Sequence, residues 1–346
     1  MQVRFRRLYG MMRACPTTPL CSACIDGDVW RVRALLDAGA VVDQSNDSGS
    51  SPFYFCCHGF LFSATREVYA ECLQLLLNAG ADVNQRGPKG ITAMHMACMI
   101  ELPDLARLLV EAGASVDQVM TEAGVPPFLL ASQKGYDECA RLLLDSGAPV
   151  DQATKDGATA LVVACHEGHL GCVQLLSSYG ASRSLVVDYD GFQSAEALCA
   201  CWGQSEVGEW LVLSRGWTPL HHLEALTPER MRALLRAGAD PHARPAEAPS
   251  QTLTVPQATP VERALAMVEP RSAVAELLLR AAERWTPHTH DLFPAAARTR
   301  AVELLWIGHQ LAIQPRFAGQ GQALAHAWVD QVIAHGVRRA PECPGL

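Results

Sequence analysis

The stretch "AGADVNQRGPKGITAMHMA", Ala79–Ala97, decides the fold. A polar turn stands in it between two apolar segments, and its opening words return along the chain. Aligning on the small pair after each leucine cluster gives "ALLDAGAVVDQ", "QLLLNAGADVNQ", "RLLVEAGASVDQ", "RLLLDSGAPVDQ" and "QLLSSYGASRS". Their glycines, Gly39, Gly80, Gly113, Gly147 and Gly180, are spaced by 41, 33, 34 and 33 residues, and a sixth copy follows at Gly238. A fixed period of this size marks an array of repeated units, each too small to bury its own apolar face.

Between these marks runs a second theme, "TAMHMACMIELPDLARLLV", "ATALVVACHEGHLGCVQLL" and "TPLHHLEALTPERMRALLR". Each reads as two short helices. The first opens on Thr or Pro, which suit a helix N-terminus, and the second ends on Gly, which accepts the left-handed conformation of a C-cap. The period of about 33, the "T-x-L-H-x-A" start and the "Leu-Leu…Gly-Ala" finish resemble the ankyrin repeat. The resemblance covers Thr18 to Ser184 well and Gly191 to Arg280 poorly. It implies an all-α solenoid of helix–turn–helix repeats joined by β-hairpin loops, with hairpin tips and the outer turns of the first helices lining one concave face.

The domain plan expected from this reading is an N-terminal tail over residues 1–14 and five repeats over 15–185. Degenerate repeats follow over 186–285, with a Pro-rich loop at 244–260, then a C-terminal helical cap over 286–346. The second repeat carries an insertion, "GFLFSATREVYAEC" (Gly59–Cys72), expected to lengthen the connection between its helices by eight residues and to be partly packed. In the tail, a helix after Pro294 is expected to place Val302, Leu305, Trp306 and His309 on one face, with a second helix across "QALAHAWVDQVIAHGVRR".

Composition narrows the function. Nearly half the residues are apolar and the net charge is −8, so the chain has a core to bury and no electrostatic attraction to nucleic acid or anionic lipid. No apolar run approaches the ~20 residues of a membrane helix. The N-terminus holds four arginines and no acid before Asp26. It lacks the apolar stretch of a secretory signal, leaving a basic tail or an organelle transit peptide. The compartment expected is the cytoplasm, or the nucleus.

Residue types that often carry chemistry fall into the repeat register. Cys24, Cys57, Cys98, Cys165 and Cys199 are read into one slot of the first helix, and Cys72, Cys139 and Cys172 into one slot of the second. A type that returns to one buried position fills a volume. "CSAC" (Cys21–Cys24) lacks the partner pair of a zinc site. His95 and His221 occupy the "T-x-L-H" position, where imidazole bridges backbone groups, and His169 follows a turn glycine. His288, His290 and Asp291 suit either a metal or the start of a tail helix. No phosphate loop, nucleophile elbow or His-Glu-x-x-His is present, so no enzyme, cofactor or metal is expected.

What remains is surface. By register the hairpin tips offer Asp47, Arg86, Lys89, Ile91, Glu122, Lys155, Asp156 and Tyr189. The first helices offer His58, Met99, Ile100, Gln133, Lys134, His166 and Glu167, with Met99 and Ile100 expected as an exposed apolar pair. Such a mixed strip suits a protein partner. The reading is a non-catalytic module that binds a partner protein through the concave face. The alternative is a substrate-recognition adaptor of a ubiquitin ligase, its C-terminal helices recruiting the ligase core, although no SOCS-box or F-box motif is matched residue by residue.

Overall fold

A computed structural model describes residues 18–47, 49–62, 66–189, 192–245, 258–267, 272–282 and 289–312. The helix expected across residues 322–339, and most of the Pro-rich loop, lie outside the described residues. The chain divides into two compact units. The first runs to Leu176 and takes in Ala181–Gly208; the second takes Ser177–Gly180 and Glu209 onward.

The first unit is built of helix pairs: α1 (Pro19–Asp26) with α2 (Val29–Asp37), α3 (Pro52–Phe62) with α4 (Arg66–Asn78), α5 (Ala93–Met99) with α6 (Pro103–Glu111). There follow α7 (Pro127–Lys134) with α8 (Asp137–Asp145), and α9 (Ala160–Glu167) with α10 (Leu170–Ser178). A short antiparallel pair, β1 (Ser184–Tyr189) and β2 (Phe192–Ser194), leads into α11 (Ala195–Cys201); α12 (Ser205–Leu213) follows in the chain, its residues from Glu209 onward belonging to the second unit. First helices pack side by side, α1 on α3, α3 on α5, α5 on α7, α7 on α9 and α9 on α11.

The recurring letters each have a local job. Hydroxyls of Thr18, Ser51, Thr92, Thr159 and Ser194 accept the N–H three residues on and so start the first helices. At the other end, the "Gly-Ala" pair closes the second helices. Gly39, Gly80, Gly113, Gly147 and Gly180 have φ between 81° and 92°, and the next residue donates back to a leucine: Ala40 to Leu35, Ala81 to Leu76, Ala114 to Leu109, Ala148 to Leu143, Ala181 to Leu176. This is the Schellman closure, which only a residue comfortable at positive φ permits.

The "Asp/Asn-Gln" that follows ties one repeat to the one before it. Gln85 Nε2 donates to the Asp43 carbonyl and Gln152 Nε2 to the Asp117 carbonyl, at 3.1 and 3.0 Å. Carboxylate or amide oxygens of Asp43, Asn84 and Asp151 accept N–H groups of Asp82, Ser115 and Ser182 in the next repeat. The hairpin stem is therefore polar because its backbone is satisfied by its neighbours, not by a sheet.

The insertion of the second repeat is mostly helix. Its extra residues lengthen α3 and α4 to 11 and 13 residues, instead of forming the longer connection the sequence suggested. Phe60 and Tyr69 are buried, and the Tyr69 ring closes against Gly59 and Gly27. The cause is apolar content: a loop there would have left Phe60 and Tyr69 in water.

Of the described cysteines, all are free and all but Cys201 are buried. The cap of α11 corrects one register. Ser194 aligned with Thr159 places Cys199 opposite Ala164, one position earlier than the Cys165 slot. Burial pushes the thiols of Cys56, Cys98 and Cys172 upward, away from the reactive thiolate. Brief treatment of the native protein with a maleimide should therefore modify Cys201 alone among the described cysteines, as read by peptide mapping. Rapid modification of Cys98 or Cys165 would contradict this packing.

The second unit holds α13 (Pro228–Arg236), α14 (Pro260–Ala266), α15 (Ala273–Ala282) and α16 (Ala295–Ala312). Leu220, Met231, Leu235, Ala264, Leu278 and Leu292 share its main core. The tail helix α16 packs through Phe293, Ala297 and Ala301, with Leu304 and Leu305 partly buried. Val302, expected on that face, is 57% exposed. The buried stripe is set by the small Ala297 and Ala301, one turn apart, which allow close approach. The side chains of Trp306 and His309 lie outside the described residues. Asp291 is held by Arg236, whose Nε donates to its carbonyl at 2.9 Å and whose guanidinium lies 3.9 Å from its carboxylate.

Candidate protein-recognition face

The hairpin tips stack one on the next. Thr121 N–H donates to the Lys89 carbonyl and Lys155 N–H to the Ala123 carbonyl, at 3.2 and 3.1 Å. Two of the cations expected to face a partner take part in this stacking. Arg86 donates to the Val119 carbonyl at 3.0 Å. Lys155 Nζ donates to the carbonyls of Thr121 and Glu122 at 2.8 and 2.7 Å. Both side chains stay exposed, but their positions are fixed by the next or previous tip. Asp47, Lys89, Glu122 and Asp156 are exposed, and Ile91 is half-buried. The Tyr189 backbone is in β1; its side chain lies outside the described residues.

The last turns of the first helices form the other edge. Aligned on their caps, successive pairs are Met99 and Ile100, Gln133 and Lys134, His166 and Glu167, Cys201 and Trp202. Lys134, His166, Glu167 and Cys201 are exposed, whereas Gln133 and Trp202 are half-buried. His166 Nδ1 lies 3.2 Å from Glu167 Oε1, and its ring meets Trp202 edge-on with centroids 4.1 Å apart. Trp202 was missed by the sequence reading. The signal available for it was the alignment of Ser194 with Thr159 and of Gly203 with Gly168.

Two expected surface residues are corrected. Met99 and Ile100 are half-buried, not exposed. His58 is buried, 5% exposed, because α3 continues past it to Phe62. Desolvation there lowers its pKa to about 4.

The buried histidines at the helix starts are structural. His95 Nδ1 accepts the Thr92 N–H at 3.2 Å, and Nε2 donates to the Val125 carbonyl of the next repeat at 3.1 Å. His221 Nδ1 accepts the Thr218 N–H at 3.0 Å in the same manner. Burial lowers both to about 4. Their neutrality follows from the geometry, since Nδ1 must keep its lone pair to accept. Among the described residues no group of three His, Cys, Asp or Glu side chains is placed to hold a metal ion. No described helix is long and apolar enough to cross a membrane.

A stack of capped helix pairs with interlocked hairpins, carrying a mixed polar and apolar strip, defines a repeat array of the protein-binding kind. Residues 61–154 match the family model for ankyrin repeats in three copies, and residues 156–188 match a single ankyrin repeat. The chain is an ankyrin-repeat protein. It is 34% identical over 149 residues to human ankyrin repeat and SOCS box protein 16, covering 43% of this chain and 31% of that protein. It is 40% identical over 60 residues to human protein phosphatase 1 regulatory subunit 27, covering 17% and 39%. It is 25% identical over 220 residues to the Arabidopsis thaliana E3 ubiquitin-protein ligase XBAT32, covering 55% and 42%. The matches thus span less than half the length of each relative.

Proposed function

We propose that this chain is a non-catalytic recognition module that grips a partner protein along the ends of its first helices and its hairpin tips. One observation carries the reading. Half-buried Met99, Ile100 and Trp202 bracket exposed Lys134, His166 and Glu167 along the array, on a scaffold whose neighbouring tips are fixed by hydrogen bonds. Apolar anchors ringed by polar groups and held rigid are what a protein interface needs.

The test is affinity capture with the intact chain. Replacing Met99 and Ile100 by serine should weaken capture about thirty-fold, roughly 2 kcal/mol. Arg107→Ala on α6, whose exposed pair with Glu138 spans 3.8 Å, should leave it unchanged. Both apolar side chains are half-buried, so melting is followed alongside, and Lys134→Glu probes the same strip from an exposed position. Capture that survives both changes in a folded protein places recognition elsewhere and ends this reading.

The second reading, an adaptor of a ubiquitin ligase, is supported by the similarity to a SOCS box protein and to an E3 ligase and by a tail helix with its own small core. Removing residues 286–346 should then abolish co-purification of cullin-type subunits while the recognised partner is kept. Unchanged ligase recovery, or none from the intact chain, rules it out.

A further inference from the structure

The turns inside most repeats share one device. Between the two helices the chain turns on Gly27, Gly135, Gly168 and Gly203, at φ of 69°, 73°, 79° and 72°. At three of these turns the missing Cβ admits a side chain from the next repeat. A Cβ would stand 3.0 Å from Tyr69 Cζ at Gly27, 2.8 Å from His169 Nδ1 at Gly135 and 2.3 Å from Gln204 Oε1 at Gly168. Each visitor donates to a carbonyl at the end of the preceding first helix: Tyr69 to Ile25 at 2.9 Å, His169 Nε2 to Gln133 at 3.2 Å, Gln204 Nε2 to His166 at 2.9 Å. The same glycines donate their N–H to Cys24, Ser132 and Cys165.

The turn between α5 and α6 keeps the closing bond of those turns, Leu102 N–H to the Ala97 carbonyl at 3.1 Å, but departs from the three glycine turns otherwise. Its left-handed residue is Glu101, φ 53°, a conformation that a side chain with a Cβ resists. A carboxylate at the C-terminal end of a helix also opposes the helix dipole. Among the described residues no bond joins the Glu101 N–H to Cys98, and Tyr136, the counterpart of His169 and Gln204, makes none to the Met99 carbonyl. Glu101 is exposed, and the half-buried pair Met99 and Ile100 immediately precedes it.

We infer that the Met99 carbonyl and the Glu101 carboxylate form an acceptor pair for a lysine or arginine side chain of the bound partner, next to an apolar partner residue seated on Met99 and Ile100. The inference rests on the recognition face proposed above and names the chemistry of its occupant. At the Gly27, Gly135 and Gly168 turns the donor comes from the next repeat; here it comes from the partner. A cation compensates both the helix terminus and the carboxylate, through charge-assisted hydrogen bonds that outmatch neutral ones. Backbone strain kept at one turn, where glycine serves at the others, is the mark of a site that acts on a ligand.

Random dodecapeptides displayed on phage and panned against the intact chain supply the probe. The expected consensus sets Lys or Arg beside an apolar residue. A recovered peptide should bind Glu101→Gln about tenfold more weakly. Glu101→Gly should bind as weakly and melt roughly 2–4 °C higher than the wild type, because the strain is gone. Peptides that require Met99 and Ile100 but bind Glu101→Gln at full strength overturn this inference and leave the recognition face standing. Peptides indifferent to all three residues overturn both. A Glu101→Gly protein that melts lower than the wild type makes the carboxylate structural and also overturns it.

Discussion

Acidification from pH 7 to pH 5 is expected to lower the melting temperature of the first unit by roughly 5–15 °C. The groups responsible are His58 and His95, 5% and 0% exposed. Desolvation of the imidazolium brings both from 6.5 to about 4. For His95 the Arg86 charge adds to this, while the bond to Val125 opposes it. The unfolded chain takes up these protons near 6.5 and the native chain only near 4. The stability from neutral histidine is therefore complete above 6.5, falls as the pH drops through the window to 4, and falls no further below it. At pH 5 each residue has surrendered on the order of 1–2 kcal/mol. Protonation of His95 also takes the Nδ1 acceptor from the Thr92 N–H, leaving the new N–H only the Thr92 hydroxyl oxygen, 2.8 Å away, to donate to. His221, likewise near 4 and capped by Thr218, should give the second unit the same acid sensitivity. Replacing His58 and His95 by glutamine should flatten the dependence of the first unit while lowering its stability at pH 7. A melting temperature that does not change between pH 7 and pH 5 sinks this account.

The histidines show why the fold was legible in the sequence and the surface much less so. "T-x-L-H" couples a cap hydroxyl, an imidazole and a carbonyl one repeat away, so its letters are fixed by backbone geometry and recur wherever that geometry does. The same holds for "Gly-Ala" and for "Asp/Asn-Gln". Such residues announce themselves by period. Surface residues answer to no periodic constraint, and the register that locates them fails by one position wherever it is anchored on a volume-filling residue. Cys199 misled in this way, hiding Trp202, whereas the cap Ser194 would have found it. Arg86 and Lys155 looked like free cations because the carbonyls they bind belong to neighbouring tips, 33 and 34 residues distant for Val119 and Thr121, and carbonyls leave no trace in a sequence. Met99 and Ile100, taken as exposed, are half-buried, because burial depends on packing within the stack and not on helical register alone. In the tail no repeat existed to read against. Hydrophobicity pointed to Val302 and Leu305; Leu305 packs, partly buried, but Val302 is exposed, and Phe293, Ala297 and Ala301 make the buried contact.

The insertion gives the largest expected effect of a single methyl group. Gly59, in α3, has the Tyr69 ring so close that a Cβ would stand 2.0 Å from Cε1 and 2.6 Å from Cδ1 and Cζ. The Cζ end of the same ring edge also rests on Gly27, and its hydroxyl donates to the Ile25 carbonyl at 2.9 Å. Tyr69 is 8% exposed, so it cannot swing aside without leaving the core. Gly59→Ala should raise helix propensity by about 1 kcal/mol and still destabilise the first unit. Overpacking of this severity costs about 1–3 kcal/mol, expulsion of an aromatic ring removes a comparable burial, and the Ile25 carbonyl loses its donor at about 1 kcal/mol. The net loss expected is about 3 kcal/mol, read from urea unfolding. Tyr69→Phe, which keeps the ring and drops the bond, should cost only about 1 kcal/mol. Most telling is the double variant Gly59→Ala with Tyr69→Ala. With the ring gone the added methyl meets nothing, so the double change should be less destabilised than the sum of the singles by 1 kcal/mol or more. Strict additivity would mean that Gly59 and Tyr69 are not in contact and that the inserted segment is held some other way.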